Sequence, residues 1–149
     1  MSYTPEFFTS GEMAALDRLT EILIPADKQS PGASAAKVNR YIDVMVADGA
    51  ESARRSWRAG LENVDAEARR RFGSGFADLS EEQQDAVVAR MAANENDPKS
   101  DLERFFRVLK RMTIDGYYTS EVGVLQDLEY KGNTAVSEFA GCTHPEHQA

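Results

Sequence analysis

Apolar positions recur at spacings of three and four through most of this chain. Met13, Leu16, Leu19 and Leu23 fall on one face of a predicted first helix. Thr9-Ser10-Gly11-Glu12 ahead of them has the spacing of a capping box, with Thr9 as N-cap and Glu12 reaching back. Phe8 and Met13 flank that cap as a hydrophobic staple would. Pro25 ends the run, because the residue before a proline is driven out of helical geometry. The following loop, rich in breakers and bracketed by Pro25 and Pro31, is predicted to be fixed.

A second helix is predicted from about Ser34 to Ala47, with Val38, Tyr41, Ile42 and Met45 as its buried stripe and Gly49 as its stop. A third begins near Ala50 and carries Ala53, Trp57, Leu61, Val64, Ala68 and Phe72. Gly73-Ser74-Gly75 breaks it. Ser80 to Gln83 reads as a second capping box, opening a fourth helix with Val87, Val88 and Met91 inward. Ser100 to Glu103 reads as a third, opening a helix with Leu102, Phe105, Phe106, Leu109 and Met112. Gly116 suits the left-handed residue that closes a helix. No stretch sustains alternation of period two. The pattern therefore predicts an all-α bundle of about five amphipathic helices.

Periodicity stops at Gly116, yet large apolar residues continue: Tyr117, Tyr118, Val122, Val124, Leu125, Leu128, Tyr130 and Phe139. Each gains about 1.5–3 kcal/mol on burial. A long, ordered, largely irregular tail over 117–149 is expected, packed on its own domain or on a second polypeptide. Residues 1–8 form an N-terminal arm, and 1–149 make one domain.

Charge narrows the functions. A net charge of −8 argues against nucleic acid and against anionic membrane surfaces. No apolar run is long enough to span a bilayer. The single cysteine, Cys142, cannot form an internal disulfide. MSYTPEFFTS has neither a basic region nor an apolar signal core, and Arg54-Arg55 is internal. Cytoplasmic residence, a removed leader and carriage by a partner stand as alternatives.

Cys142, His144 and His147, with Glu146 beside them, are metal-ligand types. Their spacing is too tight for zinc-finger patterns, and no second Cys/His pair completes four ligands. The favoured reading is a terminal segment, stiffened by Pro145, held against another chain. A metal site and a redox-active or partner-bonded Cys142 are the alternatives. A Cys142–His144 nucleophile lacks an orienting group. Tyr117 and Tyr118 read as core or interface anchors. Arg54, Arg55, Arg58, Arg69 and Arg70 read as a solvated face, Asp27 as a loop cap, and Asp43 as a surface acid. No phosphate loop or dinucleotide fingerprint occurs, and no catalytic residue is assigned.

Leu23-Ile24-Pro25-Ala26-Asp27, Ser30-Pro31-Gly32-Ala33 and Tyr41-Ile42-Asp43 resemble the opening of the gluconate 2-dehydrogenase subunit 3 family. Gly116-Tyr117-Tyr118-Thr119-Ser120, Gly123, Tyr130-Lys131-Gly132-Asn133 and the run from Gly141 to His147 are similar to its end. The resemblance spans about Phe7 to His147. It implies a non-catalytic small subunit that stabilises, matures or escorts a large FAD-binding subunit of the glucose-methanol-choline type. FAD is then expected in the partner and no cofactor in this chain. The large subunit would oxidise a sugar hydroxyl and pass electrons on, often to a c-type cytochrome. The ending looks especially like partners of enzymes that oxidise glycosides at the ring 3-position. Under this reading Tyr117, Tyr118, Tyr130, Phe139, Cys142, His144, Pro145 and His147 face the partner. Family members are often exported to the periplasm behind a twin-arginine leader, which this sequence lacks.

Overall fold

The computed structural model describes residues 3–121. Five α-helices and a short 3-10 turn share one core, and no strand occurs among the described residues. The helices are α1 (Ser10–Leu23), α2 (Val38–Ala47), α3 (Glu51–Phe72), α4 (Glu81–Met91) and α5 (Asp101–Tyr118). The turn, Phe76–Asp78, lies between α3 and α4 and drives Phe76 wholly into the core. The all-α bundle read from the sequence is the observed architecture. Its hub is α5, which packs against each of the other four helices.

Local chemistry starts these helices where the capping signals lie. At α1 the Glu12 N–H donates to Thr9 Oγ1 at 3.1 Å, and the Thr9 N–H donates to Glu12 Oε1 at 2.9 Å. Ser80 and Gln83 make the same reciprocal pair at α4. Gly73 ends α3 at φ 84°, a left-handed conformation that glycine adopts without steric cost.

The third cap is only half made. Ser100 Oγ accepts from the Glu103 N–H, but the Glu103 carboxylate does not return to Ser100. It turns inward instead, 2% exposed, and accepts from the Lys99 N–H at 2.6 Å, Arg90 at 2.5 Å and Asn94 at 3.0 Å. Glu103 thereby ties α4 and the loop after it to the start of α5. The Lys99 N–H first, then Arg90, hold its carboxyl down at about 2, against an ordinary 4.5, and outweigh the opposing effect of burial. Because the folded value is the lower one, the stabilisation is complete above pH 4.5 and is lost as pH falls towards 2. Thermal melts across that window should show a loss of stability for the wild type and a shallower one for Glu103→Gln. Parallel acid limbs would contradict the assignment.

Two helices depart from the periodicity. Residues 34–37, predicted as the first turn of α2, form a separate turn pinned to α1: Ser34 donates its N–H to Glu21 and its hydroxyl to Asp17. Lys37 then takes a left-handed φ of 59°, and the helix begins only at Val38. Its buried stripe is Val38, Ile42, Asp43 and Val46, while Met45, predicted to be inward, is 46% exposed. At the other end, α5 runs through Gly116 to Tyr118. Gly116 does not close the helix. It is buried in it, and a Cβ there would lie 2.6 Å from Tyr41 Cδ1 on α2. The missing side chain sets the close approach of the two helices.

Candidate partner-binding surface

The opening stretch of the resemblance and the described start of its closing stretch, Gly116 to Ser120, meet where the loop after α1 lies against the end of α5. The Glu21 carboxylate of α1 accepts from the N–H groups of Ala26 at 2.9 Å and Ser34 at 3.0 Å across that loop. Gly32 leaves the space for it, since a Cβ there would collide with that carboxylate. Asp27 accepts from the N–H groups of Gln29 and Ser30, both at 2.8 Å, and serves as the loop cap the sequence suggests. These bonds, that from Ser30 foremost, hold the Asp27 carboxyl below its ordinary value. The Ala33 N–H donates back to the Ile24 carbonyl at 2.9 Å. The loop is fixed by these bonds, as its bracketing prolines suggest.

From α5, the ring of Tyr117 is completely buried and its hydroxyl donates to the Pro31 carbonyl at 2.5 Å. The partner-facing role expected for Tyr117 is therefore corrected: this side chain is a core brace within its own chain. A phenol with one apolar body and one satisfied polar tip suits that position. Tyr118 lies edge-on to Tyr117, 5.1 Å between ring centroids, and stays 36% exposed at the surface. Tyr130, Phe139, Cys142, His144, Pro145 and His147 lie outside the described residues, as does the alternative metal set Cys142, His144 and His147. Tyr117→Phe should cost about 1–2 kcal/mol, because it leaves a buried carbonyl without its donor. Urea unfolding checks this, and an unchanged midpoint would contradict it.

Asp43, the last residue of the opening motif, is not a surface acid. It is wholly buried and accepts four hydrogen bonds from the N-terminal arm. The donors are the Tyr3 hydroxyl at 2.6 Å and the backbone N–H groups of Glu6, Phe7 and Phe8 at 2.7, 3.0 and 3.0 Å. Burial alone would raise its carboxyl; the four donors outweigh burial and hold it below its ordinary value. Burial first, and then the bond to Asp43, push the Tyr3 phenol up to about 12.

The α3 arginines divide. Arg58 donates to both Glu12 oxygens and to the Phe7 carbonyl, and its guanidinium lies 4.3 Å over the Phe7 ring. Arg54 donates to the carbonyls of Ala47 and Gly49, satisfying the end of α2. These two brace the fold; Arg55 pairs with Glu51 on the exposed surface, as a solvated face would, and the exposed Arg70 covers the largely buried Glu67.

A cleft of about 320 Å³ between α1, α3 and the 3-10 turn holds Glu12, Glu62, Asp65 and Asp78. Glu12 and Asp65 there already serve the backbone, Asp65 by accepting from the Phe76 N–H. Among the described residues no three His, Cys, Asp or Glu side chains are grouped to hold a metal. No described helix is long and apolar enough to cross a membrane.

The motif residues thus share a structural task. Asp27 shapes the loop after α1, Tyr117 ties that loop to the end of α5, and Asp43 holds the N-terminal arm on α2. A family model described as gluconate 2-dehydrogenase subunit 3 matches residues 10–134. Comparison with curated proteins and with solved structures returned no match. The family match takes in all five helices and runs beyond α5, and the chain belongs to the gluconate 2-dehydrogenase subunit 3 family, whose members are small subunits of multi-subunit dehydrogenases.

Proposed function

We propose that this chain is the non-catalytic small subunit of a heteromeric sugar or glycoside dehydrogenase. It stabilises, matures or escorts a large FAD-dependent subunit of the glucose-methanol-choline type. That subunit oxidises a sugar hydroxyl and passes the electrons to an acceptor such as a c-type cytochrome. The finer substrate class is a glycoside oxidised at the ring 3-position. The reading is carried by the family match over 10–134. It is supported by the use to which the described motif residues are put: Asp27, Asp43, Gly116 and Tyr117 are all engaged within the fold. An enzyme would leave some such groups facing a substrate. The aromatic residues Tyr130 and Phe139 of the terminal segment belong, on this reading, to the contact with the large subunit, where aromatic anchors are enriched.

The test is dye-linked dehydrogenase turnover with three preparations: this chain alone, the large subunit alone, and the two co-expressed. The expected result is no turnover by this chain, a poor soluble yield of the large subunit alone, and flavin-dependent turnover by the pair. Turnover by this chain unaided would overturn the reading. So would a large subunit that is equally soluble and active without it.

A further inference from the structure

We infer that the outer face of α5 is a docking surface for the large dehydrogenase subunit, and that it takes a partner patch built from an apolar or aromatic anchor flanked by carboxylates. The inference rests on the small-subunit reading above and adds to it the surface used and the chemistry of what covers it.

The inner face of α5 is consumed by the bundle, through Phe105, Phe106, Leu109, Thr113 and Tyr117. Its other face is charged, as that of an ordinary surface helix is, but it also carries large apolar side chains. Arg107, Arg111, Ile114 and Tyr118 follow one another at spacings of four, three and four, and so line one stripe. Val108 lies beside it. Four large hydrophobic side chains stand exposed among the described residues, and Val108, Ile114 and Tyr118 are three of them, at 44%, 40% and 36%. Their concentration on one helix face distinguishes them from the scattered apolar residues that any surface carries.

The face also has a shape and a sign. Next to Ile114 the surface sinks into a shallow depression of about 240 Å³, bordered by Glu95, Arg107, Lys110, Arg111 and Asp115. That is room for one large side chain. The chain as a whole carries −8, yet Arg107, Lys110 and Arg111 stand here against Glu95 and Asp115, and because Lys110 pairs with Glu95 the two arginines are left facing Asp115. Neither arginine makes an ion pair among the described residues. A cationic rim around an apolar depression, on an otherwise acidic molecule, is complementary to an apolar anchor ringed by carboxylates. Arginine is the cation favoured at interface centres, because its planar head binds carboxylates in two places and gives up its hydration readily. The face is continuous in sequence with the terminal segment: the family match runs through α5 and on to 134.

The test measures binding of the full-length chain to the co-expressed large subunit, for the wild type and for the double variant Arg107→Glu, Arg111→Glu. Both substituted side chains are exposed, so matching melting temperatures establish that the variant folds. A third chain, Ile114→Asp, tests the apolar part separately. Reversal of the two charges should weaken assembly by at least about tenfold. Added salt should weaken the wild-type complex more than the variant complex. Wild-type assembly that persists unchanged in both variants would overturn the use of this face while leaving the small-subunit reading in place. Failure of the wild type itself to bind the large subunit would overturn both. A wild-type chain that self-associates, and that the charge reversal makes monomeric, would show a second copy as the occupant and overturn the assignment to the large subunit.

Discussion

Replacing Asp43 by alanine is expected to destabilise the fold by about 3–5 kcal/mol, the range for removing one side of a buried charged hydrogen-bond network. The carboxylate is wholly buried and accepts from Tyr3, Glu6, Phe7 and Phe8 at once. Alanine strands three consecutive backbone N–H groups, each of which then lacks an acceptor. It also frees the arm that lays Phe8 against Trp57, 6.2 Å between ring centroids. Asp43→Asn keeps an acceptor oxygen and should fall between. Tyr3→Phe removes one bond of the four and should cost about 1 kcal/mol. Chemical unfolding of the three variants measures the series. A loss below about 1 kcal/mol for Asp43→Ala would mean that water replaces the carboxylate, and the clamp would be abandoned.

The second large effect is expected at Gly60, in the middle of α3. At an exposed helical position alanine is more stable than glycine by about 1 kcal/mol. Here the sign should reverse. A Cβ on Gly60 would run into the ring of Phe105, which stacks edge-on against Trp57 at 5.2 Å between centroids. The ring is 7% exposed and lies against α3, so the added carbon must displace either the ring or the helix. Gly60→Ala should therefore cost about 2–3 kcal/mol, as overpacking of a filled core does. A stabilised Gly60→Ala variant would show that α3 and α5 are not in the contact described.

These two residues also mark what a reading of the sequence alone reaches. The caps at Thr9 and Ser80, the end of α3 at Gly73 and the inward faces of α1, α3 and α4 were legible because each signal spans only a few positions. Asp43 was not. Its donors lie 35 to 40 positions away, so an acid on a helix looked like any surface acid. Gly116 sat where a helix-closing glycine is expected, but its purpose is the ring of Tyr41, which only the packing of α2 on α5 reveals. Glu103 matched a capping box and uses a different acceptor geometry, because Arg90 and Asn94 of the preceding helix and loop compete for its carboxylate. The resemblance named the motif residues but could not give their work. Tyr117 reads as an anchor for a partner until its hydroxyl is found on Pro31. The residues expected to face a partner from Tyr130 onward lie outside the described residues.

On the function proposed above, this chain acts as one subunit of an assembly. The most direct measurement is the molar mass and flavin absorbance of the chain co-expressed with its large dehydrogenase subunit, followed together through size-exclusion chromatography with light scattering. One species of summed mass, carrying the flavin spectrum and both polypeptides, is the predicted result. A flavoprotein eluting by itself, with this chain behind it as a monodisperse monomer, would contradict it.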